Sequence, residues 1–157
     1  MQKITPCLWF DTEGEEAASL YISLFKNSRI VDIARYGEAG PREAGTVMTV
    51  SFELDGQPFV ALNGGPDFTF NEAVSFQIDC ANQEEVDHFW EGLSEGGSEG
   101  PCGWLKDRFG VSWQVIPAAL TELLSDPDPA RAQRAMACML TMGKIDIAAL
   151  RAAADQA

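Results

Sequence analysis

The order of strand and helix patterns repeats once along this chain of 157 residues, and the repeat restricts the fold more than any other feature. Each half begins with an alternating strand pattern, continues with an amphipathic helix pattern and then returns to strand patterns. In the first helix Ala17, Tyr21 and Leu24 recur at helical spacing. A similar apolar stripe lies 69 residues further along, from Val86 to Leu93. The repeat predicts an α+β fold made of two similar modules.

The alternation of apolar and polar residues gives the bounds of the predicted elements. The clearest is a hairpin, because Asp55 and Gly56 separate two strand patterns as a two-residue turn does. The predicted strands are 4–10, 30–36, 47–54 and 57–63 in the first half, and 73–79, 103–106 and 111–116 in the second. The predicted helices run through Ala17 to Phe25, over 84–92, after Asp126–Pro129 and over 146–154.

In the first strand of each half the alternation also predicts which face lies beneath the helix. Aligning the halves at the 69-residue spacing puts Cys7 and Trp9 beneath the first helix. The same alignment puts Phe76 and Ile78 beneath the second helix. The opposite faces then carry Leu8 and Phe10 in the first half, and Ser75 and Gln77 in the second.

The composition is that of a folded protein with an acidic surface. Apolar residues make up 46% of the chain and charged residues 22%, which excludes wholesale disorder. The formal net charge of −13 disfavours binding to phosphate backbones and anionic membranes, so neither nucleic acid nor a membrane is an expected partner. No apolar run reaches the roughly 18 to 20 residues of a membrane span, and no signal-peptide pattern is found, so we expect a cytoplasmic protein.

The four cysteines are far apart in the sequence and form no C-x-x-C pair. Zinc knuckles and thioredoxin-like sites need such a pair, so both kinds of site are disfavoured. We interpret all four, Cys7, Cys80, Cys102 and Cys138, as buried small apolar residues without disulfide bonds.

Three stretches of the sequence give the chain a family resemblance. They are ITPCLWFD at 4–11, LNGGP at 62–66 and CGWLKDRFGVSWQV at 102–115. They resemble the PhnB-like branch of the vicinal oxygen chelate superfamily, which includes glyoxalases, extradiol dioxygenases and bleomycin-resistance proteins. Members of this branch are often catalogued as 3-demethylubiquinone-9 3-methyltransferase-like proteins.

The resemblance implies a specific α+β architecture. It implies a single domain over residues 1–157, built from paired βαβββ modules of the glyoxalase and bleomycin-resistance kind. The first module covers 3–66 and the second 70–117, and a helical extension follows over 118–157. Relatives commonly form homodimers, some of which exchange halves or elements, and Gly64-Gly65-Pro66 would suit such an exchange as a hinge.

Enzymes of this superfamily usually hold a divalent metal with His, Gln or Glu ligands from the first and last strands of each module. The corresponding first-strand positions here are about Ile4 and Ala73, neither of which can bind a metal. In the last strands the positions fall on Ala61 or Asn63 and on Gln114. One glutamine does not hold a metal, so the sequence predicts none.

The methyltransferase name finds no support in the sequence. Methyl transfer from S-adenosylmethionine usually needs a glycine-rich turn between a parallel strand and a helix, whereas Gly96-Gly97-Ser98 follows a helix. The only histidine, His88, lies next to Asp87 in a predicted helix, which fits a solvated helix residue better than a ligand or a base. No cofactor is therefore expected.

In the superfamily fold each sheet curves around a cavity, and Leu8 and Phe10 are predicted to line it together with a set of polar and aromatic residues. The candidate ligand-contacting residues are Tyr36, Asn63, Ser75, Gln77, Trp104, Trp113 and Gln114. The two tryptophans have an alternative interpretation as core or dimer packing. Lys106 and Arg108 are either a local charge cluster or anchors for an anionic ligand.

Three functions stay open on the sequence alone. The first is a metal-free small-molecule binding protein whose ligand the sequence does not identify. The second is an enzyme with a non-standard site, in which Asn63, Gln77 and Gln114 surround a substrate oxygen. The third is a structural partner module whose interior is filled by its own side chains.

Overall fold

The structure, a computed structural model, describes residues 3–156 and divides into two compact units, Met1–Phe70 and Asn71–Ala157. Each unit contains one four-stranded sheet with a helix packed on one of its faces. This arrangement confirms the predicted α+β class with paired βαβββ modules and C-terminal helices. That the two modules form one domain stays a prediction.

The first unit follows the predicted order of elements. Its elements are β1 (Cys7–Phe10), α1 (Gly14–Leu24), β2 (Arg29–Arg35), β3 (Val47–Leu54) and β4 (Gln57–Asn63). The strand order is β1-β4-β3-β2, with β1 parallel to β4 and the other pairs antiparallel. The predicted hairpin is confirmed at its bounds. Asp55 and Gly56 both have positive φ, 48° and 81°, as a two-residue turn between twisted strands requires.

The second unit repeats this plan and adds helices. Its elements are β5 (Ser75–Cys80), α2 (Gln83–Ser94), β6 (Ser98–Glu99), β7 (Trp104–Lys106), β8 (Ser112–Pro117), α3 (Ala118–Leu124), α4 (Pro129–Met139) and α5 (Ile147–Asp155). The strand order is β5-β8-β7-β6, with β5 parallel to β8. The two-residue strand β6 was not predicted. None of the helices within residues 3–156 combines the length and the apolar composition that a membrane crossing requires.

The three C-terminal helices have a small apolar core of their own. It consists of Leu120, Leu123, Ala135, Ile145, Leu150 and Ala154. Backbone hydrogen bonds join the segment before α5 to the turn before β7. The N–H of Cys102 donates to the carbonyl of Met142 at 2.8 Å, and that of Gly103 to the carbonyl of Gly143 at 2.9 Å. The extension is therefore attached to the second sheet by its main chain.

The face of β1 that lies beneath its helix is the opposite of the predicted one. Leu8 and Phe10 are buried and pair in register with Ala61 and Asn63 of β4. The side chain of Asn63 in turn accepts a hydrogen bond from the first residue of α1, Gly14. Residues paired in register share a face, so Leu8 and Phe10 lie beneath α1.

The error comes from the length of one turn. Three residues separate β1 from α1, 11–13, whereas two separate β5 from α2, 81–82. Because side chains alternate with period two along a strand, one additional residue reverses the face that the helix covers. In the second unit the prediction for Phe76 and Ile78 is confirmed, since Ile78 is buried and pairs with the buried Val115.

The cysteines differ in burial, although all four thiols are free. Cys80 is buried as predicted, and burial, with the charges of Glu85 and Asp79, raises the pKa of its thiol to about 12. The prediction is wrong for Cys7, which is exposed. Cys102 and Cys138 are half-buried.

Candidate functional site

The face of the second sheet that points away from α2 carries an unusual concentration of polar side chains. Its residues form two rows across β5, β8 and β7: Ser75, Ser112 and Lys106 in one, and Gln77, Gln114 and Trp104 in the other. We call this surface the polar face. It exists because Ser112 and Gln114 alternate in β8 with Trp113 and Val115, which lie on the helix side.

The amide side chains of the polar face form a chain of hydrogen bonds. The Nε2 of Gln77 donates to the Oε1 of Gln114 at 3.3 Å. The Nε2 of Gln114 donates to the Oγ of Ser75 at 2.8 Å. Because the Ser75 oxygen accepts this bond, its own hydroxyl proton is available to donate to another group.

Ser112 stands out on this face because its hydroxyl is buried and unpaired. The residue is 1% exposed, and its Oγ has no hydrogen-bond partner among the residues that the structure describes. A buried polar group without a partner costs roughly 1–3 kcal/mol and calls for a reason, such as a bound ligand. Its place in register between Ser75 and Lys106 puts this hydroxyl in the polar face.

The charged residues around the turn after β7 play separate roles. The ammonium of Lys106, which lies in the first row between Ser112 and Ser98 of β6, pairs with the carboxylate of Glu72. The guanidinium of Arg108 lies 5.0 Å from the centre of the Phe109 ring instead. Of the two predicted anchors, Lys106 lies in the polar face by its strand register, whereas Arg108 follows the end of β7.

Asp107, between these two cations, has a structural role. It is 2% exposed, and its Oδ1 accepts from the N–H groups of Phe109 and Val111 at 2.9 and 3.0 Å. Its Oδ2 accepts from the indole N–H of Trp113 at 2.9 Å. Both oxygens are therefore occupied in shaping the turn before β8.

The two candidate tryptophans lie on opposite faces of the second sheet. Trp104 is half-buried and pairs in register with Gln114, which puts it in the polar face. Trp113 is buried and pairs with Phe76 and Leu105, and its ring centre is 5.5 Å from that of Phe76. Trp113 therefore fits the alternative interpretation as a core residue.

Tyr36 and Asn63 lie together in the first unit, with their polar groups engaged by the fold. The hydroxyl of Tyr36 donates to the carbonyl of Asn63 at 2.5 Å. The Oδ1 of Asn63 accepts from the N–H of Gly14 at 2.7 Å, and its Nδ2 donates to the carbonyl of Val47 at 3.2 Å. The structure thus brings together Ser75, Gln77, Trp104 and Gln114 as one group and Tyr36 with Asn63 as another. Their contact with a ligand stays a prediction.

Comparison with known proteins shows to which family this chain belongs. A model of the family described as 3-demethylubiquinone-9 3-methyltransferase matches residues 2–116. The chain belongs to this family. Residues 117–157, with the helical extension, lie outside the matched range.

Solved structures agree with this assignment. A Bacillus cereus PhnB protein, described as a putative 3-demethylubiquinone-9 3-methyltransferase, is 40% identical over 74% of this chain and 100% of its own, with a TM-score of 0.67. A Pseudomonas aeruginosa protein with 22% identity over 74% of this chain and 98% of its own has a TM-score of 0.62. The Mesorhizobium loti fosfomycin resistance protein FosX, 11% identical over 80% of this chain and 100% of its own, shares the fold with a TM-score of 0.54. A comparison with curated proteins finds no match. The predicted PhnB-like and superfamily resemblance is confirmed.

The residues of this PhnB-like chain do not fit the divalent metal of the superfamily's enzymes. Ala61 and Asn63, at the expected ligand position of the first module, lie on the helix side, and the paired residues Trp9 and Leu62 occupy the other face. Within residues 3–156, no three His, Cys, Asp or Glu side chains lie close enough together to hold a metal ion. The amides of the polar face are weak ligands for any divalent cation.

The chain also lacks the cradle that a nucleotide-like methyl donor usually needs. Each sheet has a single parallel strand pair, β1 with β4 and β5 with β8, where such donors usually bind a doubly wound parallel sheet. The turns between strand and helix, 11–13 and 81–82, contain no glycine. His88 is exposed, and its ring packs edge-on against Phe89 at 4.9 Å between centres.

Ser112 of the polar face and Glu72, the ion-pair partner of Lys106, are not among the residues that the sequence predicts for the site. The place of Ser112 on this face could be predicted from the sequence. It lies two residues before Gln114 in the alternating segment 111–116, so both side chains point to the same face. Glu72 could not be predicted in this way, since it precedes β5 and its pairing with Lys106 depends on the order of the strands.

Proposed function

We propose that this PhnB-like protein is a metal-free small-molecule binding protein whose ligand occupies the polar face. The observation that carries the proposal is the buried, unpaired hydroxyl of Ser112. It adjoins a preformed chain of amide hydrogen bonds that ends on Ser75. Binding sites typically combine a few such polar groups with an apolar surface, which Trp104 supplies here.

The chemistry of the polar face favours binding over catalysis. Amides and hydroxyls orient a ligand oxygen, but they do not exchange protons readily near neutral pH. The ionisable side chains on or beside this face include Lys106 and Glu72, which neutralise each other as an ion pair, and the exposed Asp79, two residues after Gln77 on the same face of β5. An enzyme with Gln77 and Gln114 around a substrate oxygen would have to use one of these groups as its proton carrier.

The family description suggests the first probe. It names a methyltransferase acting on 3-demethylubiquinone, a compound with a flat, oxygen-bearing ring. Such a ring has the shape to stack on Trp104 and to place an oxygen near Gln114. Methyl transfer itself is not part of the proposal, because the glycine-rich turn is missing.

We also propose that the protein works as a homodimer in the cytoplasm. The superfamily resemblance supports the dimer, and the four free thiols suit a reducing compartment. Light scattering coupled to size exclusion measures the oligomeric state, and a monomeric mass at micromolar concentration contradicts the dimer.

Native mass spectrometry and elemental analysis of protein purified without a chelator test the binding function. We expect no stoichiometric metal, and a bound organic molecule that Gln114→Ala loses and the control Gln133→Ala retains. Gln133 is an exposed residue of α4. A stoichiometric divalent metal, or a molecule retained equally by both variants, contradicts the proposal.

If no molecule copurifies, titration with duroquinone tests whether the protein binds a small molecule without turning it over. This benzoquinone is fully substituted, because an open ring position would react with the exposed thiol of Cys7. We expect saturable binding without turnover, weakened about tenfold or more in Gln114→Ala, which corresponds to about 1.4 kcal/mol. Duroquinone binding that Gln114→Ala leaves unchanged, or turnover that Gln114→Ala abolishes, contradicts the proposal, and the turnover supports the enzyme.

A further inference from the structure

Three hydrogen-bond donors lie in line across the polar face. Ser75, Ser112 and Lys106 pair in register across β5, β8 and β7. Adjacent strands are about 4.8 Å apart, so the row spans roughly 10 Å. The Ser75 hydroxyl has its proton to donate, the Ser112 hydroxyl has no partner within residues 3–156, and the Lys106 ammonium is a cation.

The group that pairs with Lys106 in this structure shows which charge on a ligand this residue attracts. It is the carboxylate of Glu72, whose side chain is 59% exposed, while that of Lys106 is 40% exposed. Exposed ion pairs of this kind contribute little to stability. The carboxylate of a ligand would therefore displace Glu72 at little cost.

Displacement of Glu72 would also free a side chain next to Ser112. The Oγ of Ser112 has almost no accessible surface, so a ligand reaches it only when a neighbouring side chain moves. Lys106 is its neighbour in register and is long and flexible. Release from Glu72 lets this side chain move.

The apolar part of a ligand has a place next to this row. Trp104 lies two residues before Lys106 on β7 and on the same face, roughly 7 Å away along the strand. That separation matches a single aromatic ring carrying one carboxylate. Because the chain has a net charge of −13, non-specific attraction of anions is disfavoured, and an anion that binds must do so through local contacts.

We infer that the ligand of the polar face is a small planar carboxylate, whose oxygens bind Ser112 and Lys106 in place of Glu72 and whose ring lies against Trp104. The inference rests on the proposed binding function and specifies its ligand class.

Two matched pairs of probes test the charge of the ligand directly. They are benzoate with benzamide, and 2-naphthoate with 2-naphthamide, which differ in charge but hardly in shape. Binding is followed by NMR through the side-chain amide signals of Gln77 and Gln114 and the indole signal of Trp104. We expect the carboxylates to bind the protein at least tenfold more tightly than the amides.

Variants test the contacts. Lys106→Met is expected to abolish the preference for the carboxylate, and Ser112→Ala to weaken carboxylate binding about fivefold or more. Glu72→Gln removes the competing charge and is expected to tighten carboxylate binding severalfold, so one variant gains function while the others lose it. Lys26→Met, at an exposed lysine of the first unit, is the matched control and should change nothing.

The outcomes separate the inference from the function on which it rests. Equal binding of both members of each pair, unaffected by Lys106→Met, overturns the anionic ligand and leaves the binding function standing. Carboxylate binding retained in both Lys106→Met and Ser112→Ala places the anion elsewhere and also overturns the inference. If no probe shifts the signals of the polar face at millimolar concentration while duroquinone does, the inference fails alone; if duroquinone fails too, both fail.

Discussion

The side-chain oxygen of Asn63, the last residue of β4, accepts a hydrogen bond from the backbone N–H of Gly14 at 2.7 Å and so fixes the start of α1. The residue in the capping position, Glu13, makes no side-chain cap of its own. A residue 49 positions away thus takes the role that a neighbouring Ser, Thr, Asp or Asn usually has. The approach is close, since a Cβ on residue 14 would lie 2.7 Å from the Asn63 oxygen.

Asn63→Ala should destabilise the protein by about 3 kcal/mol, because it leaves the buried N–H of Gly14 and the carbonyl of Val47 without partners. Urea unfolding followed by circular dichroism measures the change. Asn71→Ala is the control, since Asn71 is exposed and its side chain accepts a hydrogen bond from the nearby N–H of Ala73. Equal stability of the two variants would show that the side chain of Asn63 does not hold the helix.

Asp107→Asn should cost about 3 kcal/mol of folding free energy, although it changes the size of the side chain very little. The amide nitrogen then faces the indole N–H of Trp113, a donor against a donor in a buried place. Asp67→Asn, at an exposed aspartate, is the charge-matched control and should stay within about 0.5 kcal/mol of the parent. Unchanged stability combined with lost ligand binding would assign Asp107 to the site instead.

The parts of the fold that could be predicted are those that local pattern determines. The hairpin of β3 and β4 was predicted to the residue, because alternation and the turn residues Asp55 and Gly56 agree. The face of β1 could not be predicted by analogy with β5. One additional residue in the turn 11–13 reverses it, and a periodic pattern does not record the length of a turn.

The polar face could be predicted in part, where its residues follow from alternation within a strand. Ser75 and Gln77 share a face of β5 through alternation, and the register of β5 with β8 places Gln114 beside Gln77. Trp104 and Trp113 are both sequence candidates for the site, with core packing as the alternative, and strand register separates them: Trp104 pairs with Gln114, whereas Trp113 pairs with Leu105. The unpaired state of Ser112 depends on what surrounds its hydroxyl in three dimensions, and no sequence pattern reports that.

Ser112→Ala should leave the protein at least as stable as the parent and up to about 1 kcal/mol more stable, because it removes a buried hydroxyl for which the described part of the chain offers no partner. Ser75→Ala should instead lower the free energy of unfolding by about 1 kcal/mol, since it removes the hydroxyl oxygen that accepts a hydrogen bond from the Gln114 amide. Thermal and urea unfolding compare the two. A loss of more than about 1 kcal/mol in Ser112→Ala would mean that its hydroxyl is satisfied in solution.

Gln83→Ala should loosen the C-terminal extension before the rest of the second unit. The Nε2 of Gln83 donates to the carbonyl of Ile145 at 2.9 Å, and its Oε1 accepts from the N–H of Ile147 at 2.9 Å. Loss of both bonds should cost about 2 kcal/mol. Hydrogen exchange should show that the backbone amides of α5 exchange faster in this variant while those of β8 are unchanged. Equal acceleration in α5 and β8 would show that Gln83 stabilises the whole second unit and not the extension alone. Gln133→Ala on α4 is the matched control.

The ion pair between Asp87 and Lys144 should make the attachment of the extension depend on pH. Hydrogen bonds from Lys144 and Gln83 hold the pKa of Asp87 below its ordinary value of 3.8, and the Asp87 carboxylate raises that of Lys144 above 10.5. A lowered carboxyl pKa stabilises the folded state above pH 3.8, and this contribution is lost as the pH falls through the folded pKa. The raised pKa of Lys144 stabilises the folded state below pH 10.5, and this stabilisation is lost as the pH rises through the pKa that Lys144 has in the folded protein.

Asp87→Asn should therefore lower the urea midpoint at pH 7, with the difference from the parent shrinking below pH 3.8 and again above pH 10.5. The effect should be small, because exposed ion pairs are screened by solvent and salt. Glu84→Gln, at an exposed residue of the same helix, removes an equal charge without breaking the pair and should show no such profile. A difference between Asp87→Asn and the parent that stays constant from pH 2 to pH 7 would assign the role of Asp87 to packing and not to its charge.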